Sequence, residues 1–385
     1  MEHTAVTVLE VGAILLMAAG AGWVARRASL PAIVGYLVVG VAISEFTPGY
    51  VADPEQVSLF AEVGAILLLF EVGIEVDLRE LRREHPAVLW AAPLQMGITF
   101  AASVIAFFAL GLQLEAAALL GVAIAMSSSV VVVNITRSRR RTTDKGTEHL
   151  LIGWSVLQDV VGVAAAIILL SAVGAGQPIE VTIVGLVVFA GVSLAGAWLL
   201  PRILARLRSE PDLFLAVSVA TGLAVAGIGA VLAGIPLALA AFVGGLTISE
   251  GPVASEARKR LLPFRDLFAI FFFVAIGTLI DPAALFSRGL GWLALCIGLV
   301  VLGKVAVIAI LAHASRLPAN AAQLGVGLGQ IGEFGFVLAT VAVARGVLPV
   351  EVYAALLAAV AISIAASSIL VRYVRVGGSA APSAA

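Results

Sequence analysis

The sequence predicts an all-α polytopic membrane protein of about 13 transmembrane helices, arranged as an inverted repeat with crossed discontinuous helices. Three observations predict it: an extreme apolar composition, basic residues confined to alternate connections, and two pairs of similar segments about 200 residues apart. Of the 385 residues 61% are hydrophobic and 12% charged, against roughly 45–50% and about 25% in soluble domains. Apolar stretches long enough to cross ~30 Å of hydrocarbon at ~1.5 Å per residue recur along the whole chain. A formal net charge of −1 excludes a general attraction to nucleic acid, and the single cysteine, Cys296, cannot form an intrachain disulfide. The opening MEHTAVTVLE has no Lys or Arg before its apolar run, so the first helix is expected to stay rather than be cleaved as a secretory signal.

Breaking the chain at its polar and Pro/Gly punctuation places spans near 5–24, 31–45, 56–76, 86–110, 114–136, 148–172, 180–200, 212–232, 236–249, 263–280, 285–313, 320–343 and 349–373. Alternate connections then hold 20 of the 23 Lys and Arg residues, including the run RSRRRTTDK at 137–145. The positive-inside rule makes that side cytoplasmic. The odd number of spans puts the amino terminus outside and the carboxyl terminus, with a disordered tail at 376–385, in the cytoplasm.

The segment PAIVGYLVVGVAISE at 31–45 resembles PLALAAFVGGLTISE at 236–250, sharing a Pro, a Val, a Gly and a closing Ile-Ser-Glu without a gap. FEVGIEVDLREL at 70–81 likewise resembles FVAIGTLIDPAAL at 273–285, with Gly73/Asp77 set against Gly277/Asp281. The paired spans run in opposite directions, so the repeat is inverted: spans 1–6 match 8–13, and span 7 connects them. Inverted repeats characterise secondary transporters, whose sites lie near midplane where discontinuous helices from the two halves meet.

The polar residues left inside spans carry the chemistry. Asp159 lies in IGWSVLQDVVGVAAAIILL at 152–170, where a carboxylate costs ~2.5–3.5 kcal/mol on insertion scales. The plain structural alternative is that it pairs with a base or caps a broken helix. A buried carboxylate titrates above its ordinary range, and an ionised one is a hard oxygen ligand. A proton and a dehydrated alkali cation therefore compete for Asp159, which is the physics of exchange. Gln158 faces another sector, about 100° away, and either hydrogen-bonds across helices or takes part in the site. Span 5 contains Ser127, Ser128 and Ser129, and span 12 contains GLGQIGEFGF around Glu333. Small-residue packing accounts for the serines alone, but paired interruptions in symmetry-related spans favour two broken helices whose dipole ends meet Asp159. The pattern G-x-G-x-x-G at Gly327, Gly329 and Gly332 lies in a membrane span rather than after a strand, which rejects a dinucleotide site. Lys304 is the lone base deep in a span; it either pairs with Asp159 or Glu333, the favoured reading, or snorkels. Glu62 and Glu71 either line a cation-attracting funnel or sit at the interface, and His85, His149 and His313, at cytoplasmic span ends, either sense pH or, the favoured reading, are solvated surface.

These motifs taken in order resemble the Kef-like branch of the bacterial monovalent cation:proton antiporters, in the sodium/hydrogen exchanger superfamily. The likeness runs through LLLFEVGIEVDLRELRR, AMSSSVVVV, Gln158-Asp159, AFVGGLTISE, FFFVAIGTLIDP, Gly303-Lys304 and QIGEFGFVL. It implies a single transporter domain over 5–375 in a homodimer, with scaffold helices at about 5–80 and 212–282, a connector at about 180–208 and a moving core at about 86–172 and 285–375. It also implies that Asp159 carries the ion and the proton, and that Lys304 matches the span-11 lysine of these antiporters. Electrogenic relatives carry Asp-Asp where this chain has Gln158-Asp159. One acid implies one cation per proton, unless Glu333 carries a second charge. Many Kef-like proteins append a cytoplasmic nucleotide-binding domain, and none follows span 13 in this sequence; a separate cytoplasmic regulatory subunit is an expected partner.

The resulting expectation is a bacterial inner-membrane antiporter moving Na⁺ or K⁺ against H⁺ by alternating access. Its bound species are Asp159 with its transported alkali cation, flanked by Gln158, Ser127, Ser128, Glu333 and Lys304, in the lipid bilayer and with no cofactor. The rivals are a gated potassium-efflux channel or pore subunit under a separate regulator, and a sodium-coupled organic-anion symporter. No metal-ligand spacing or positioned nucleophile favours an enzyme.

Overall fold

The computed structural model describes residues 2–28, 30–48, 54–76, 85–136, 143–172, 179–249, 252–332 and 334–374. Its elements are helical throughout these residues: α1 Glu2–Arg27, α2 Ala32–Ala42, α3 Pro54–Glu75, α4 Pro86–Ala109, α5 Leu114–Ala125, α6 Ser129–Thr136, α7 Lys145–Ala172 and α8 Ile179–Arg206. Then come α9 Pro211–Ala233, α10 Leu237–Leu246, α11 Pro252–Thr278, α12 Pro282–Ala314, α13 Ala321–Gly327, α14 Phe334–Ala344 and α15 Val350–Leu370. Among the described residues nine helices are long and apolar enough to cross a membrane, and α2, α5, α10 and α14 are shorter apolar helices. Every expected span falls on a helix. Spans 5 and 12 are each split in two, as their Ser and Gly interruptions predict.

Local chemistry sets the ends. Proline opens α4, α9 and α12, where its missing N–H would have had no partner. Asp281 and Asn320 accept backbone N–H groups at the starts of α12 and α13. Asp144 does the same for α7, accepting from the Thr147 N–H at 2.9 Å and from its hydroxyl at 2.7 Å. Partial burial pushes the Asp144 carboxyl up, but these hydrogen bonds outweigh it and hold the group below its ordinary value. Gly234, at φ +63°, ends α9 in the left-handed conformation. α11 begins at Pro252, eleven residues before the expected span, and carries Pro263 within it.

The chain divides into two compact units. The first comprises Met1–Ala28, Ala32–Arg83 and Val163–Ser287. In it α3 packs against α10 and α11, and α2 packs against α1 and α11. Phe70, Ile74, Phe214, Ala241 and Ile248 form one apolar core, and Ile14, Val39, Phe271 and Val274 another.

Two helix crossings in this unit are made by backbone on backbone. A β-carbon on Gly40 would strike the Val274 carbonyl and the Gly277 Cα, and one on Gly277 would strike the Leu37 carbonyl and the Gly40 Cα. At the other crossing, a β-carbon on Gly245 would strike the Phe70 carbonyl and the Gly73 Cα, and one on Gly73 the Phe242 carbonyl and the Gly245 Cα. The repeat alignment carries Gly40 onto Gly245, Leu37 onto Phe242, Gly73 onto Gly277 and Phe70 onto Val274. It thus maps one crossing onto the other with the partners exchanged, atom for atom, as two copies of one motif do when they pack about a twofold axis. This reciprocity supports the repeat. Gly73→Ala or Gly245→Ala is expected to force the crossing apart and to destabilise the protein by ~1–3 kcal/mol. Gly97→Ala, with open space around its β-carbon, is expected to be neutral or slightly stabilising. Thermal unfolding in detergent compares the three.

Glu71 is fully buried in this unit. It accepts from Arg258 Nε at 2.5 Å and Arg265 Nη1 at 2.9 Å, while Arg258 also pairs with Glu75 at 2.7 Å. Its charge ties α3 to α11, and Glu62 is exposed. A buried acid with two guanidinium partners is a structural cross-link.

The second unit comprises Ser29–Pro31, Glu84–Gly162 and Arg288–Ala385. α4 packs against α5 and α12, α14 against α5, α13 against α12, and α15 against α12 and α14. α12 has π-helical turns at Leu285–Gly289 and Leu299–Val305. The second of these widens the helix at Lys304. Such turns shift the register of side chains after them and recur at functional positions.

Candidate ion-exchange site

The site begins with two failures of helical hydrogen bonding. α5 stops at Ala125, Met126 is extended (φ −88°, ψ 145°), and the chain becomes helical again at Ser129. α13 stops at Gly327, and helix resumes at Phe334. Each break frees carbonyl and N–H groups that have no water to turn to in hydrocarbon.

The two breaks satisfy one another. Ser127 Oγ donates to the Leu328 carbonyl at 2.7 Å, and the Gly332 N–H donates to the Met126 carbonyl at 3.1 Å. The Gln330 side chain accepts from the Ser128 N–H at 2.7 Å and returns its own Nε2 to the Ser128 carbonyl at 3.3 Å. A β-carbon at Gly332 would collide with the backbone of Ser127 and Ser128, so glycine lets the two breaks meet. Ser363 and Ser367 of α15 bond the Ile331 N–H and the Val326 carbonyl.

Lys304, fully buried, completes the arrangement. Its Nζ donates to the carbonyls of Ile124 (3.0 Å), Met126 (2.6 Å) and Gln330 (2.7 Å), one from each of its three N–H bonds. Two of these carbonyls close the C-terminal, negative end of α5, where a cation is favoured. The three carbonyls are its hydrogen-bond partners among the described residues. Of the two acids expected to pair with it, Glu333 lies outside the described residues, as do the 137–142 part of the basic run and the 376–385 tail.

Asp159 is 1% exposed on α7. Ser129 Oγ donates to its Oδ2 at 2.6 Å. Ser129 opens α6, so the carboxylate meets the positive end of that helix as well as a hydroxyl. Of the serine triplet it is thus Ser129 that touches the acid. The two singled out from the sequence, Ser127 and Ser128, brace the crossing of the breaks. Ser127 and Ser128 lie in the non-helical segment and Ser129 at the first turn of α6, so the three point in directions that no helical wheel predicts.

Gln158 donates to Gln95 Oε1 at 2.6 Å, and Trp154 Nε1 donates to the same oxygen at 3.3 Å. Gln95 Nε2 donates to Thr99 Oγ1 at 2.9 Å and to the Ala125 carbonyl at 3.4 Å, and Thr99 donates to the Gly303 carbonyl at 2.6 Å. This chain joins the neighbour of Asp159 to the end of α5 and the neighbour of Lys304. The sequence reading missed Gln95, Thr99 and Gln330; their signal was the polar side chain itself within an apolar span.

A family model described as "Sodium/hydrogen exchanger, transmembrane" matches residues 13–375. The chain belongs to the sodium/hydrogen exchanger family. Within this family it is 29% identical over 367 residues to the putative cation/proton antiporter YbaL of Escherichia coli K12, covering 91% of this chain and 65% of that protein. It is 30% identical over 361 residues to the glutathione-regulated potassium-efflux system protein KefC of Escherichia coli O81, covering 90% and 57%. The chain thus spans less than two thirds of the length of these curated relatives. In fold, this exchanger-family chain superposes on the sodium proton antiporter MjNhaP1 of Methanocaldococcus jannaschii with a TM-score of 0.72 at 17% identity, over 97% of this chain and 99% of that one. The broken, crossing helices accordingly belong to an all-helical exchanger fold in an integral membrane protein.

Proposed function

We propose that the protein is a secondary antiporter that exchanges a monovalent cation, Na⁺ or K⁺, for H⁺ by alternating access. The observation that carries the reading is the Asp159 carboxylate, buried and held by Ser129 where the broken helices cross. A carboxylate in that setting is stabilised by being neutralised, and a proton or a dehydrated alkali cation each does this. Loading one excludes the other. With Gln158 uncharged beside Asp159, the proton-loaded and cation-loaded sites carry the same net charge, which supports one-for-one, electroneutral exchange.

The names of the relatives agree with exchange: YbaL is a putative cation/proton antiporter and KefC belongs to a potassium-efflux system. The same reading takes about 5–80 and 212–282 as scaffold, about 180–208 as connector and about 86–172 and 285–375 as moving core, in a homodimer of a bacterial inner membrane, with the amino terminus outside and the carboxyl terminus cytoplasmic. A separate cytoplasmic regulatory subunit is part of the proposal. Liposomes carrying a pH dye test it: Na⁺, K⁺ and Li⁺ are added in turn, and saturable proton movement opposite to the cation is expected, insensitive to an imposed membrane potential. Passive, unsaturable cation leak without proton counter-movement would establish a channel instead. Potential-dependent exchange would overturn one-for-one stoichiometry.

A further inference from the structure

The hydrogen-bond chain at Gln95 has fixed ends, and they determine which way the Gln158 amide faces. Trp154 Nε1–H only donates, so the Gln95 atom 3.3 Å away must be its oxygen. The Ala125 carbonyl only accepts, so the opposite side of the Gln95 amide must be its nitrogen. Thr99 agrees: its hydroxyl proton goes to the Gly303 carbonyl at 2.6 Å, leaving its oxygen to accept from Gln95 Nε2. With Gln95 Oε1 so fixed, the Gln158 atom 2.6 Å from it must be the Nε2 donor. Turning Gln158 over would set two oxygens at that distance. All five hydrogen bonds in the chain are consistent with one orientation and no other.

The leftover atom is Gln158 Oε1. It is buried and makes no hydrogen bond with another group among the described residues. We propose that Gln95 and Trp154 are positioning residues of the exchange site, holding Gln158 with its carbonyl oxygen, rather than its NH₂, available to the cation or its remaining hydration water. An amide oxygen replaces a lost water ligand of an alkali cation, whereas an amide NH₂ in its place repels the ion. The two residues act on cation affinity through Gln158 without touching the ion.

This inference rests on exchange at Asp159, so its test reads cation binding as well as transport. Trp154→Phe keeps the buried ring and removes the one donor-only anchor; Gln95→Leu removes the clamp; Gln158→Leu removes the oxygen. Purified protein in liposomes gives the cation KM and maximal rate, and the cation-induced rise in thermal midpoint in detergent gives binding without transport. Trp154→Phe and Gln95→Leu are each expected to raise the cation KM by about fivefold, the loss of roughly one hydrogen bond, with maximal rate falling less than KM rises and the thermal rise moving to higher cation concentration. Adding Gln95→Leu to Gln158→Leu is expected to shift KM no further. An equal shift from Gln95→Leu with and without Gln158, or an unmoved cation dependence in both single variants, overturns the positioning role. A cation-induced thermal rise in the unmodified protein without cation-driven proton movement sinks the exchange reading separately.

Discussion

Asp159→Asn is expected to reduce cation-driven proton movement in liposomes to that of protein-free vesicles. The amide keeps the size of the side chain and can still accept from Ser129, which now sits at 2.6 Å from Oδ2. It can neither bind a proton near neutral pH nor neutralise a cation, so in the proposed cycle both limbs lose their carrier at once. Folding is expected to survive, because a neutral amide enters hydrocarbon more cheaply than a carboxylate, which costs ~2.5–3.5 kcal/mol at midspan. A thermal midpoint equal to or above that of the unmodified protein, together with silent vesicles, is the full signature. Retained proton movement in this variant would remove Asp159 from the mechanism. Ser129→Ala, which removes one charge-assisted hydrogen bond but leaves the acid, is a smaller lesion of the same site.

Lys304→Met is expected to have the largest effect on stability. Burying an ammonium costs several kcal/mol, which taken alone favours the thioether. Three hydrogen bonds from a charged donor return ~1.5–3 kcal/mol each, and all three of its acceptors are break carbonyls with no water to replace the lysine. The second sum is the larger, so methionine leaves the crossing of the breaks unsatisfied and destabilises the protein by roughly 3–5 kcal/mol. Thermal unfolding of the purified variant measures this. An unchanged midpoint would mean that the carbonyls find other donors, and the ammonium would then have no structural role at the crossing.

Hydropathy made the helices legible, because a span must be apolar over its length whatever it packs against. The two breaks were legible for a related reason: serines at 127–129 and glycines around 327–332 are poor continuous-helix formers in the middle of spans. What each polar residue bonds to was not legible. The partners of Lys304 are backbone carbonyls, and every residue has one, so side-chain identity pointed instead to the nearest acids. Gln95 lies 30 residues from Ala125 and 63 from Gln158 in sequence, and no periodicity links positions so far apart. The bases that Glu71 meets had no local signal either. Its arginine partners stand 187 and 194 residues away. The paired glycines, by contrast, were visible as repeated positions, although not as the two crossings that they form.

Those crossings act as a lock on helix register. Ordinary packed helices can ratchet past each other by one turn, about 5.4 Å, when side chains find new holes. At Gly40/Gly277 and Gly73/Gly245 there are no side chains to re-seat. A one-turn slip would bring Tyr36, Phe273, Leu69 or Ala241 to where only a hydrogen atom fits against a carbonyl. The first unit therefore has a single setting of α2 against α11 and of α3 against α10. Whatever conformations the chain cycles through, these four glycines are carried along as fixed pins.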